Sequence, residues 1–152
     1  AITLGTVDGA NVEIAERVGA DNIFTFGLKA DEVEKVWEQG YNASAIYSGD
    51  PGIRRVVDAL RTGFGGQSFS DIADYLTVGT NYVADPYMCL KDYRDYLRAA
   101  ADLDGAYRDK NGWNKMALVN IAESGIFAAD RSIREYAENI WHLKPVTKVD
   151  ED

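Results

Sequence analysis

The first 27 residues, AITLGTVDGANVEIAERVGADNIFTFG, constrain the fold more than any other stretch. Ile2, Thr3 and Leu4 form a short β-prone run, and the glycines at 5 and 9 break it. Val12, Ala15 and Val18 then recur at helical spacing, with Glu13, Glu16 and Arg17 mostly on the opposite face. Asp8 stands where a carboxylate caps the first amides of that helix. Gly19 can end it in a left-handed conformation. Ile23, Phe24 and Phe26 make a second apolar run, closed by Gly27. Strands are therefore expected at Ile2 to Gly5 and at Ile23 to Phe26, with a helix between them. Two strands joined through a helix run parallel, because only a crossover returns the chain to the same end of a sheet.

After Gly27 the apolar period becomes helical. Val33, Val36 and Trp37 share one face of a segment from Ala30 to Gln39, which Gly40 stops. Asn42 is placed to cap a short turn. Asp50 before Pro51 reads as a cap and first helical residue, leading into a stripe of Ile53, Val56, Val57 and Leu60. Gly63 to Ser70, GFGGQSFS, is the best internal loop. Asp71 to Leu76 reads as a brief helix, and Gly79 to Pro86 as a connector. From Leu90 the pattern is helical to the end. Tyr93, Leu97, Ala100, Leu103 and Tyr107 form one expected buried face. Met116, Ala117, Val119, Asn120 and Ile121 fall on a helix from Trp113 to Ser124, which Gly125 breaks. A last helix, with Asp130 as its expected cap, carries Ile133, Tyr136, Ala137, Ile140 and Trp141. The organisation is a strand-helix-strand unit at 1–27, a helical lobe at 28–144 and an acidic tail at 145–152.

Charge excludes several function classes. The 152 residues carry a net charge of −9, with Lys and Arg outnumbered 16 to 25 by Asp and Glu. That balance disfavours a nucleic-acid backbone or an anionic membrane as partner. No apolar run approaches the length of a membrane span. One cysteine, Cys89, allows no internal disulfide and fits a reducing cytosol. The chain lacks an initiating Met and enters a strand at once, which favours a fragment of a longer polypeptide.

A search for chemistry returns scaffold readings. His142 is the single histidine, beside Trp141 near a helix end, where a cation or a packing ring is expected rather than a base. Cys89 has no neighbouring base and reads as a small apolar side chain. The turn from Gly5 to Gly9 lacks the third glycine of a dinucleotide fingerprint and the lysine of a P-loop, and Asp8 sits where a phosphate would lie. It reads as a sharp strand-to-helix turn. Asn11, a poor helix former, is expected to hydrogen-bond across that turn. Asp102 and Asp104 diverge on a helix and form no paired acid-base site. Asp150, Glu151 and Asp152 form a solvated tail. Trp37, Trp113, Trp141 and the nine tyrosines read as core more than as a sugar platform. No catalytic, cofactor-binding or metal-ligating residue is assigned.

Two blocks carry a resemblance. GTVDGANVEIAERVGADNIFTFG, and NIAESGIFAADRSIREYAENIW from Asn120 to Trp141, are similar to the C-terminal part of the α-glucan phosphorylases (glycogen, starch and maltodextrin phosphorylases). The resemblance implies an α/β fold: the C-terminal part of a GT-B, Rossmann-like domain, followed by a mostly helical lobe. It implies transfer of a glucosyl unit from an α-1,4-glucan to inorganic phosphate, giving α-glucose 1-phosphate, with pyridoxal phosphate as cofactor. In that family the cofactor lysine and its phosphate cradle lie upstream of the position matching Ala1, and neither Lys29 nor Lys35 matches the motif. The piece alone is thus expected to be structural and inactive. Its partners would be the remainder of the chain, glucan and phosphate, in a cytoplasmic homodimer. Asp8 to Glu13 would brace the cofactor segment from behind, and the helix around Arg131 to Trp141 would cross to the N-terminal domain. Two departures stand out: Ala128-Ala129 replaces the family's Ser-Ser, and Gly63 to Tyr82 follows the family poorly. A non-catalytic helical module that docks on a partner, and a small nucleotide-binding domain built on the Gly5 to Gly9 turn, remain as alternatives.

Overall fold

The computed structural model describes residues 2–79 and 83–144. The expected tail at 145–152, with Asp150 to Asp152, the first residue Ala1, and the part of the 79–86 connector at 80–82 lie outside the described residues. Strand β1 (Leu4–Thr6) leads into helix α1 (Gly9–Val18), a 3-10 turn (Ala20–Asn22) and strand β2 (Phe24–Phe26). The two strands pair in parallel, with Leu4 opposite Phe24 and Thr6 opposite Phe26. The expected pairing is present, one or two residues shorter at each amino end. The Thr3 carbonyl still accepts the Phe24 amide at 2.9 Å, so hydrogen bonding begins before regular strand geometry does.

Seven α-helices follow among the described residues: α2 (Ala30–Glu38), α3 (Ala43–Gly49), α4 (Pro51–Thr62), α5 (Ser70–Thr77), α6 (Cys89–Arg108), α7 (Lys110–Glu123) and α8 (Ala129–Tyr136). The α8 helix continues into a π turn at Ala137–Trp141. The main core is built away from the strands, from Ala43, Ile53, Val57, Ala73 and Leu90, with Leu60, Leu76 and Tyr93 packed around it. The expected α4 stripe therefore holds at Ile53 and Val57, whereas Val56 lies partly outside it. Asn42 caps α3 by accepting the Ala45 amide at 2.9 Å. Asp50 caps α4 through the amides of Gly52 and Ile53.

Asp50 also ties α4 to α6, because Arg94 Nε donates to its Oδ2 at 2.7 Å. The Arg94 guanidinium, aided by the two capped amides, holds the Asp50 carboxyl down at about 2, below its ordinary 3.8. A carboxyl depressed in the folded state stabilises it above its unfolded pKa and loses that contribution as pH falls through the folded value. Arg94→Gln should therefore flatten the acid-side loss of stability between about pH 4 and pH 2. Urea midpoints measured at both pH values check this; parallel curves for the two proteins would refute it.

Three expectations fail, each for a reason of neighbourhood. Asp8 occupies the N-cap position of α1 without capping it; its carboxylate instead accepts the Thr6 hydroxyl at 2.9 Å. Asp130 lies inside the first turn of α8, whose N-cap is Ala128, and makes no cap bond. On α6 the expected face holds only in part: Tyr93 packs on the core and Ala100 and Leu103 are partly buried, but the rest is not. Leu97 is 39% and Tyr107 51% exposed, while Ala99 is fully buried. The helix passes from the core to the end of β2, where Asp95 and Asp92 bind the Gly27 and Leu28 amides and the Tyr96 ring meets Phe26.

Candidate functional site

Thr6 and Phe26 end the two parallel strands side by side. Open α/β sheets hold ligands beyond such carboxyl ends, because the loops there diverge and leave a crevice. In this chain α6 walls that crevice. Asp95 Oδ2 accepts the Gly27 amide at 2.8 Å, and Asp92 Oδ1 accepts the Leu28 amide at 3.1 Å. Gly27 is needed at this contact. Its φ is +84°, and a Cβ there would lie 2.5 Å from Asp92 Oδ2. Arg98 completes the joint, its Nε donating to Asp95 Oδ1 at 2.6 Å and a terminal nitrogen to the Thr25 carbonyl at 3.1 Å.

The two acids differ electrically. Arg98, then the Gly27 amide, holds the Asp95 carboxyl below its ordinary value. Burial pushes Asp92 above its own, and the neighbouring Asp95 and Asp85 charges add to the rise. Between this joint and the Gly5 to Gly9 turn lies a cavity of 490 Å³, lined by Thr6, Asp8, Phe26, Asp92, Tyr93 and Tyr96, with Tyr87 and Cys89 toward one side. The Phe26 and Tyr96 rings meet edge to face at 5.2 Å.

The turn beneath the cavity is closed by its own side chains. Asn11 Nδ2 donates to the Thr6 carbonyl at 2.9 Å, the bond expected from the sequence. Cys89 is exposed rather than packed as a small apolar side chain. Partial burial of its sulfur and the Asp85 carboxylate push its thiol up, which disfavours the thiolate a nucleophile needs. His142 ends the π turn at φ +52°, its ring facing the Glu138 carbonyl at 3.0 Å, so it serves the helix end. Asp102 and Asp104 turn to different arginines, Arg98 and Arg108. Trp37 and Trp113 are half-buried and meet Tyr41 and Tyr107 edge to face, while Trp141 is 53% exposed. Lys35 pairs with Asp31 on the outer face of α2. Among the described residues, no group of three or more His, Cys, Asp or Glu is placed to hold a metal ion. No described helix is long and apolar enough to cross a membrane.

One functional-looking residue escapes sequence reasoning. Asp85, fully buried, accepts the Tyr41 hydroxyl at 2.7 Å and the Cys89 and Leu90 amides, each at 2.8 Å. It closes the start of α6 from four and five residues ahead. Burial and this carboxylate push the Tyr41 phenol far up. The only local signal is an acid in the Ala-Asp-Pro-Tyr run before a helix; its partner Tyr41 is remote in sequence.

Two parallel strands bridged by a helix and backed by a large helical lobe define an α/β protein of mostly helical content. A carbohydrate phosphorylase family model matches residues 1–143. The chain is 42% identical over 147 residues to a glycogen phosphorylase of Synechocystis sp.. It is 46% identical over 150 residues to that of Bacillus subtilis and 37% identical over 146 residues to the human muscle form. These alignments take in 96%, 96% and 95% of the chain. The chain belongs to the carbohydrate phosphorylase family. It spans only 17% to 18% of the length of these curated relatives.

Proposed function

We propose that this chain is the C-terminal portion of an α-glucan phosphorylase, a glycosyltransferase moving glucosyl from an α-1,4-glucan to phosphate to give α-glucose 1-phosphate. The carrying observation is identity of 37% to 46% to proteins named glycogen phosphorylase over nearly the whole chain. Residues 1–27 are then the strand-helix-strand part of a GT-B, Rossmann-like domain, residues 28–144 its helical lobe and residues 145–152 a tail. The parallel pairing of β1 with β2 supports that reading. The last segment supports it too: Ile133, Ile140 and Trp141 are 56%, 61% and 53% exposed, an apolar stripe suited to the N-terminal domain of the same enzyme. The whole enzyme works in the cytoplasm as a homodimer.

The residues present do not fit pyridoxal phosphate. Its phosphate would need basic side chains or open amides, whereas the cavity beyond the strands is lined by carboxylates and rings, and Lys35 is engaged elsewhere. The cofactor therefore belongs to polypeptide outside this chain, and this piece supplies the wall behind it. The purified 152-residue chain should bind no pyridoxal phosphate and release no glucose 1-phosphate from glycogen and phosphate. A longer polypeptide carrying this segment should do both and lose turnover when the segment is deleted. Turnover by the 152-residue chain alone, or undiminished turnover after the deletion, would overturn the proposal.

A further inference from the structure

The 490 Å³ cavity beyond β1 and β2 has a chemistry that the phosphorylase reading does not use. Its size suits a small molecule. Its walls are aromatic: Phe26, Tyr93 and Tyr96, with Tyr87 on the outer side and 78% exposed. The Phe26 to Tyr96 edge contact and the Asp92 to Leu28 bond fix those walls before any ligand arrives. Two carboxylates reach it, Asp8 from the turn and Asp92 from α6, and among the described residues no basic side chain lines it.

That lining selects among ligand classes. A phosphate or carboxylate would meet two like charges and no cation. A neutral sugar would find ring faces, carboxylate acceptors and the Tyr87, Tyr93 and Tyr96 hydroxyls here, but it gains nothing from the net negative charge of two carboxylates. An inorganic metal ion needs converging ligands, and no described cluster provides them. A protonated amine or guanidinium on an apolar body gains from both wall types, because ring faces and carboxylates attract the charge while the rings cover the body. We propose that this cavity binds a small organic cation of that class, with Asp92 as its main counter-charge and Asp8 as a weaker one.

The test titrates the longer phosphorylase polypeptide that carries this segment with 2-phenylethylammonium and with its uncharged counterpart 2-phenylethanol, read by saturation-transfer NMR. The ammonium should bind saturably and about tenfold more tightly than the alcohol. Asp92→Asn should abolish that preference. Because this change also touches the Leu28 anchor, Asp8→Asn serves as a second variant remote from it and should reduce the preference about two- to threefold. Glucose and inorganic phosphate should not displace the probe. Equal affinity for ammonium and alcohol, a preference unchanged in Asp92→Asn, displacement by glucose or phosphate, or no saturable binding would each overturn the proposal. None of these outcomes bears on phosphorolysis, so the two readings fail separately.

Discussion

Asp85→Ala should lower the stability of the chain by about 4 kcal/mol, a large share of what a domain of this size possesses. The carboxylate is fully buried and accepts three hydrogen bonds, from the Tyr41 hydroxyl and the Cys89 and Leu90 amides. Removing it leaves those donors without their acceptor, and bonds to a charged group are worth about 1.5–3 kcal/mol each. The backbone adds to the loss. Asp85 sits at φ +49°, a conformation that Asp and Asn tolerate better than Ala. Asp85→Asn keeps the shape and part of the acceptor capacity, so it should lose about half as much. Urea unfolding followed by circular dichroism reads both variants, with the slope unchanged and the midpoint shifted. An alanine variant within about 0.5 kcal/mol of the parent would refute the account.

The second large effect is expected at Gly63, which ends α4. Its φ of +84° and ψ of 176° lie where side-chain-bearing residues are rarely found. An added Cβ would fall 2.1 Å from the Gln67 carbonyl oxygen, a backbone atom. That carbonyl is fixed in turn, because Phe64 and Gln67 exchange two backbone bonds of 2.9 and 3.0 Å around Gly65 and Gly66. Gly63→Ala should therefore cost about 3 kcal/mol. Gly65→Ala is the matched control: φ is +59°, nothing lies within 4 Å of the added Cβ, and the cost should be about 1 kcal/mol. Thermal or urea midpoints that rank the two the other way would sink the steric argument.

How much of this was legible depends on how far apart the partners lie. The cap of Asn42 on Ala45 and that of Asp50 on Gly52 and Ile53 join residues two or three apart, and spacing alone finds them. The Asn11 bond to Thr6 is similarly local. The parallel pairing of β1 and β2 follows from their helical connection. The Asp8 and Asp130 caps were expected by the same local rule and do not form: Asp8 has the extended backbone of a cap but turns its carboxylate to the Thr6 hydroxyl, and Asp130 falls inside the first turn, past the N-cap Ala128. The candidate site is the harder case. Phe26 was readable as a strand end, but Thr6 was assigned to the turn and Tyr96 lay off the expected helical face, and nothing local brings α6 to the strands. Gly27 meets Asp95 across 68 positions, and Tyr41 meets Asp85 across 44.

The amino-acid order by itself determined the element types, the parallel strand-helix-strand unit and the family, since hydrophobic period, caps and turn residues act over a few positions and a family pattern is a property of the string. Only the tertiary structure decided which face of α6 is buried, that Asp92 and Asp95 clamp the end of β2, and that Asp85 closes the start of α6. Those outcomes depend on which helix lands beside which strand. That choice is made by packing the whole chain, which buries Ala99 and leaves Leu97 and Tyr107 exposed.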